Sequence, residues 1–300
     1  MEHLSTLVQS IASLGWVAFA FVALFTFKSE ITRALPRLKK GKILGQEFEL
    51  TGELNTLENS AEQAAKEVRE LPQGDNPVVI ARQGEEIDTR IKQILQQATS
   101  SPKLALIALR AELERQAVNG LAIRGLLRGR RIAPLKQALV ELRQYGLPAA
   151  LEGSLELFDS ARNKIVHGAG TTDDDALRAL DSGLTILRAL AAMPSETHVV
   201  DHPGVEIFSD PQCTQLIPGV KGVILEATSP GGAIKTKRIY ATTQTHFQKG
   251  KQVAWEWNSG MQWSKAWYRD PDTGAFKSAW DGCAEFIGRH LDDITGVSTR

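Results

Sequence analysis

Arg162, Asn163 and His167 lie in the run Ala161-Arg162-Asn163-Lys164-Ile165-Val166-His167-Gly168, and their types suit acid–base chemistry on a phosphodiester. An imidazole titrates near neutrality and can take or give a proton. A guanidinium can hold two phosphoryl oxygens while charge develops on them. RNA brings its own nucleophile, the 2′-hydroxyl, so a site of this kind needs neither metal nor cofactor. The run sits at the end of a predicted helix over residues 148–167, ahead of a glycine-containing loop. Thr172 with Asp173, Asp174 and Asp175 then caps a further helix over residues 173–193. Five positions on a straight helix are about 140° apart, so Arg162 and His167 do not converge within one chain. The plainer alternative makes Arg162 a solvated or paired helix residue and His167 a cap for last-turn carbonyls.

RNA also requires a positive surface. Residues 101–170 carry eleven Lys or Arg against six Asp or Glu, densest in Arg124-Gly125-Leu126-Leu127-Arg128-Gly129-Arg130-Arg131. Arg124, Arg128, Arg130, Arg131 and Lys164 are therefore the candidate RNA contacts, with an ordinary basic loop as the alternative. A second candidate surface lies in the C-terminal third, which holds Trp255, Trp257, Trp263, Trp267 and Trp280 of the six tryptophans. Trp255, Trp257 and Trp267 could stack on a ligand or partner, or simply build a core. His198 and His202 are four apart in strand-like sequence, a poor metal spacing, and no metal site is expected.

Residues 85–194 resemble the HEPN superfamily of helical domains, within it the bacterial members with an RN-plus-HG signature. The opening Ser101-Pro102-Lys103-Leu104-Ala105-Leu106-Ile107-Ala108-Leu109-Arg110 looks like the family's first long helix. Residues 132–145 are similar to its short connecting helix, Arg162-Asn163 to His167-Gly168 matches its motif, and residues 173–193 fit its closing helix. The resemblance implies an all-α bundle and a metal-independent endoribonuclease with Arg162, Asn163 and His167 at the motif positions. It also implies a homodimer or higher homo-oligomer that brings two motifs together, and a role as a regulated toxin or anti-phage effector. The alternative is a non-catalytic scaffold that dimerises or binds, with the Trp-rich domain sensing a ligand or partner.

The elements that must position these residues follow from composition and pattern. Lys+Arg and Asp+Glu balance at 35 each, which leaves no overall field for nucleic acid or anionic lipid. Two cysteines, Cys213 and Cys283, exclude a disulfide framework. Residues 4–27 carry no charge, enough for a transmembrane anchor, and the basic flank of Lys28, Arg33, Arg37, Lys39, Lys40 and Lys42 places the N-terminus outside. Residues 28–300 would then face the cytoplasm from a bacterial inner membrane. Residues 28–84 read as a basic juxtamembrane segment, a strand-like stretch (42–51), a stalk helix with too few apolar positions for a core (52–71) and a linker (71–84). Helices follow over 85–194. Residues 195–300 read as an α+β domain with strands at 199–208, 222–228, 234–242 and 252–257, hairpin loops at 229–232 and 248–251, and a closing helix over 274–291. The expected fold is thus an N-terminal transmembrane helix, an all-α HEPN-like bundle, and a small antiparallel sheet with a C-terminal helix.

Overall fold

The computed structural model describes residues 49–71, 77–168, 170–230 and 232–295. The charge-free stretch 4–27 and the basic flank lie outside them, and among the described residues no helix is long and apolar enough to cross a membrane. Six longer helices precede the sheet: α1 (49–70), α2 (Pro77–Ala98), α3 (Pro102–Ile123), α4 (Leu135–Arg143), α5 (Ala149–His167) and α6 (Asp173–Ala191).

Local signals set several boundaries. Ser101 accepts from the Leu104 amide at the start of α3, with Pro102 in the first turn. Thr172 and Asp175 form a reciprocal capping box on α6. Gly168 ends α5 in an extended conformation (φ −79°, ψ 143°). Helices α3, α5 and α6 pack through Leu106, Leu109, Leu113, Leu155, Phe158, Leu184 and Leu187. Gly183 on α6 permits that approach, because a Cβ there would lie 2.5 Å from Phe158 and 2.6 Å from Leu109.

The stalk reading needs correction. Leu50, Leu54, Leu57, Ala61, Ala64, Ala65 and Val68 are all buried in the same core as α3, α5 and α6. Three of the seven are alanines, so the apolar stripe is shallow, yet small residues let α1 lie close to α5. Ser60 and Ser154 hydroxyls meet at 2.7 Å across that contact, and Arg178 of α6 reaches Glu58 at 2.9 Å. Residues 49–51, read as strand-like, open α1, while 42–48 lie outside the described residues. Helix α2 starts at Pro77, inside the span read as linker.

The sheet has five strands, β1 (Thr197–Phe208), β2 (Leu216–Thr228), β3 (Lys235–Thr242), β4 (Trp257–Arg269) and β5 (Phe276–Phe286), in the order β3-β2-β1-β4-β5 with every pair antiparallel. Together with the helices and the short α7 (Leu291–Thr295), this makes the chain α+β. The expected helix over 274–291 is therefore mostly β5, pairing from Phe276 with Arg269 to Phe286 with Trp257. Residues 252–257 form only the isolated bridges Val199 to Gln252 and Val253 to His290 before β4 begins.

Two antiparallel steps from β1 make β3 parallel to it, and two more on the other side do the same for β5. The sheet curls until β3 and β5 run side by side. The Thr243 amide and hydroxyl both donate to the Glu285 carboxylate, and the Ala241 amide lies against the Cys283 sulfur. The result is a five-stranded, partly open barrel. Its interior holds Ile207, Val220, Ile224, Ile239, Ala241, Ala266 and Trp280, one or more from each strand. A second cluster of Val200, Val223, Leu225, Phe247, Val253 and Phe286 joins the sheet's other face to the β3–β4 connection.

Candidate functional site

Arg162 and His167 both lie on α5, five positions apart and about 140° apart around its axis. His167 is exposed on the last helical residue, and its imidazole has no hydrogen-bond or ion-pair partner among the described residues. Arg162 is half-buried and donates to its neighbour Asn163 at 2.7 Å, while its Nε is buried without a partner among the described residues. The two side chains thus stand on different flanks of one helix.

Lys164 points to α1, where its ammonium lies 2.6 Å from Glu53 and 3.0 Å from Glu49. Those two carboxylates hold its pKa above the usual lysine value. Helix α1 adds Glu49, Glu53, Glu58, Glu62, Glu67 and Glu70 against Lys66 and Arg69, and so offsets most of the basic excess of residues 101–170. Within that stretch Arg110 pairs with Asp159 and Glu114, and Arg115 with Glu112.

The basic loop between α3 and α4 has a structural task. Arg124 donates to the Gly120 carbonyl at 3.0 Å and to the Pro194 carbonyl at 2.8 Å, and burial lowers its pKa. Arg130 makes a two-pronged pair with Glu141 (2.9 and 2.7 Å) and donates to the carbonyls of Leu127 and Leu126. Arg128, at φ 49°, and Arg131 are the exposed members of the set.

This loop is where the barrel docks. The Trp255 amide donates to the Ala122 carbonyl at 2.9 Å, and Arg289 links the Arg130 carbonyl (3.0 Å) to the buried carboxylate of Glu256. Gly125 adopts φ 73°, and a Cβ on it would stand 2.7 Å from the Trp255 carbonyl oxygen. Sequence reasoning read the charge of the loop but had no sign of the barrel that seats on it.

The three selected tryptophans divide. Trp255 and Trp257 cross edge-to-face at 5.1 Å, and both contact Tyr240 and Phe286. Trp255 also stacks on His198 at 4.0 Å. Trp267 is elsewhere on β4, opposite Phe208 and Ser278, with the Lys265 ammonium 5.6 Å from its ring.

His198 and His202 take different partners, because the β1 register shifts between Val200 and His202. Asp201, His202 and Asp272 bring donor atoms within 4.8 Å of one another, but Lys237 puts its ammonium 2.6 Å from Asp201 and 3.2 Å from Asp272. A side-chain cation already serves those carboxylates.

Sequence reasoning missed a groove of about 480 Å3 where β3 and β5 part, lined by Arg238, Tyr240, Trp257, Tyr268, Trp280 and Cys283 among others. Its residues come from three strands, and only the strand order brings them together. Burial raises the pKa of Tyr240 and of the Cys283 thiol. Comparison of the chain with family models, curated proteins and solved structures returns no match, so the chemistry rests on this geometry.

Proposed function

We propose that the protein is a membrane-tethered scaffold in which a HEPN-like helical unit pairs two copies without cutting RNA, and the barrel is the end that recognises a ligand. In this reading residues 4–27 supply the tether, in the inner membrane of the bacterium that the resemblance implies, and the basic flank after them orients residues 28–300 to the cytoplasm.

One observation carries the reading: three of the five cations that would grip RNA are already committed. Lys164 is held by Glu49 and Glu53, and Arg124 and Arg130 are spent on carbonyls, Glu141 and the barrel mount. A polyanion gains affinity when free cations replace the counterions condensed on it, and of the five candidates Arg128 and Arg131 alone stay exposed. Pairing of copies is supported at the motif end of the bundle. Lys103 bonds to Thr171 in the loop after His167, and the next residues of α3 include Leu104 and Ile107, both exposed and three apart on one face. A shared tether raises the effective concentration of copies.

A second reading, the metal-independent endoribonuclease with a toxin or anti-phage role, is favoured by the Arg162 Nε and the His167 imidazole, neither of which has a partner among the described residues. Across a pair of copies, Arg162 of one and His167 of the other would share a phosphodiester. Incubation of the full-length chain with single-stranded RNA, with chelator present, separates the two readings. The scaffold reading expects no cleavage above that of Arg162→Ala and His167→Ala. Chelator-resistant cleavage lost in both variants would replace it with the nuclease.

A further inference from the structure

We infer that the groove between β3 and β5 binds a nucleotide, with the base among the aromatic rings and the phosphate on Arg238. This rests on the reading of the barrel as the recognising end, and it names the ligand class.

Three independent features meet there. The first is shape and lining. The groove has about 480 Å3, room for one nucleotide, and Tyr240, Trp257, Tyr268 and Trp280 bring ring surface to it from β3, β4 and β5. Apart from Trp280, β5 lines the groove with small residues, Ser278, Ala279, Gly282, Cys283 and Ala284, which leaves space beside the rings.

The second is backbone chemistry. Strands β3 and β5 are the two ends of the sheet order, and no ladder joins them among the described residues. Among the described residues the hydrogen bonds that tie them lie at one end, the Ala241 amide on the Cys283 sulfur and Thr243 on the Glu285 carboxylate. Below those ties, around residues 237–240 and 278–282, each strand turns its outer amides and carbonyls to the groove. A base presents donors and acceptors on its edge as well as a flat face, which suits such a wall.

The third is charge. Lysines on the neighbouring surface are used: Lys235 by Glu226, Lys237 by Asp201 and Asp272, Lys277 by Asp270. Arg238 has no carboxylate partner among the described residues, and its guanidinium lies against the Tyr240 hydroxyl at the groove. One uncommitted cation beside a set of rings matches an aromatic ligand with an anionic group better than a long polyanion. An extended peptide is disfavoured because the ties at 241–283 and 243–285 close the seam to a continuous added strand.

The base and phosphate could belong to a free nucleotide or to one residue of a single strand. The full-length chain in detergent micelles is titrated with the four 5′-ribonucleoside monophosphates, the matching nucleosides and a short single-stranded RNA, following tryptophan fluorescence. Two variants accompany it: Arg238→Ala, which removes the cation, and Ser278→Phe, which fills the groove at an exposed strand position. Saturable binding of a monophosphate, weakened about tenfold or more by Arg238→Ala and by removing the phosphate, and abolished by Ser278→Phe, is the expected result. Binding confined to the RNA strand, with the same dependence on both variants, supports the same site with the other source. No binding of either probe, or binding indifferent to both substitutions in variants that melt like the wild type, overturns the inference. Peptide-only binding would do the same. A groove without nucleotide in a chain that pairs and leaves RNA intact removes the ligand class alone, whereas RNA cleavage at Arg162 and His167 removes the scaffold reading and leaves the groove.

Discussion

His198 and His290 sit where the barrel meets its surroundings, and both are kept neutral by burial, which lowers their pKa values from the ordinary 6.5. For His290 the neighbouring His246 adds to the effect, as does Lys251, with Asp293 and Asp292 opposing it; for His198 the opposing group is Glu196. The His290 Nε2 accepts the Gln248 amide at 3.2 Å, which a proton on that nitrogen would prevent. As pH falls below 6.5 the unfolded chain takes up these protons first, so stability is complete above that value and declines below it. The melting temperature should fall between about pH 7.5 and about pH 5.5, and His290→Gln, which keeps an acceptor for Gln248, should shrink the fall. An unchanged fall in the variant would show that His290 is not a source of it.

Among the elements, α1 and β5 carry the main lessons. Leu57 on α1 is 0 % exposed, within a stripe that the bundle covers completely. Leu57→Ala should cost about 2–5 kcal/mol in urea unfolding, the range for a truncated buried leucine. A cost under about 0.5 kcal/mol, as for a surface change, would mean that α1 is a stalk after all. Helices α5 and α6 were legible from sequence because their signals are local: Thr172, the acids after it and the leucine spacing need no distant partner. Helix α1 was not, since its alanines become core only within a cluster built by the later helices, and Ser60 meets Ser154 ninety-four positions on. Strand β5 was hidden for a similar reason. Phe276-Lys277-Ser278-Ala279-Trp280-Asp281-Gly282-Cys283-Ala284-Glu285-Phe286 is settled by its register with β4, where Trp280 meets Ala266 and its indole donates to the Ser264 carbonyl. The Arg162 to His167 run was readable to the residue, but the acids that face Lys164 come from a segment over a hundred residues earlier.

At the scale of the molecule, the helical core takes in Ala254 of the β3–β4 connection and Leu291 of α7, while the barrel keeps its own apolar clusters. The α3–α4 loop is the hinge point of that union. Glu141 holds Arg130, whose carbonyl accepts from Arg289, and Arg289 in turn neutralises Glu256, only 6 % exposed. A chain of this kind joins the proposed pairing end to the proposed nucleotide groove through packed protein rather than a free linker. It also explains why charge counting alone assigned the loop to RNA: the cations are real, but a count does not show that Arg130 folds back onto Leu126, Leu127 and Glu141 or that Arg124 reaches Pro194.

The measurement that tests the central claim most directly is urea unfolding of the full-length chain carrying Arg130→Ala beside one carrying Arg131→Ala. Arg130→Ala removes a two-pronged ion pair and the guanidinium donor to the Leu126 carbonyl, while the Leu127 carbonyl keeps the backbone amide of residue 130; Arg131 is exposed. A loss of about 2 kcal/mol for Arg130→Ala against less than about 0.5 kcal/mol for Arg131→Ala is the predicted result. Equal and negligible losses, accompanied by weaker RNA binding in both variants, would return the loop to a nucleic-acid grip and contradict the account.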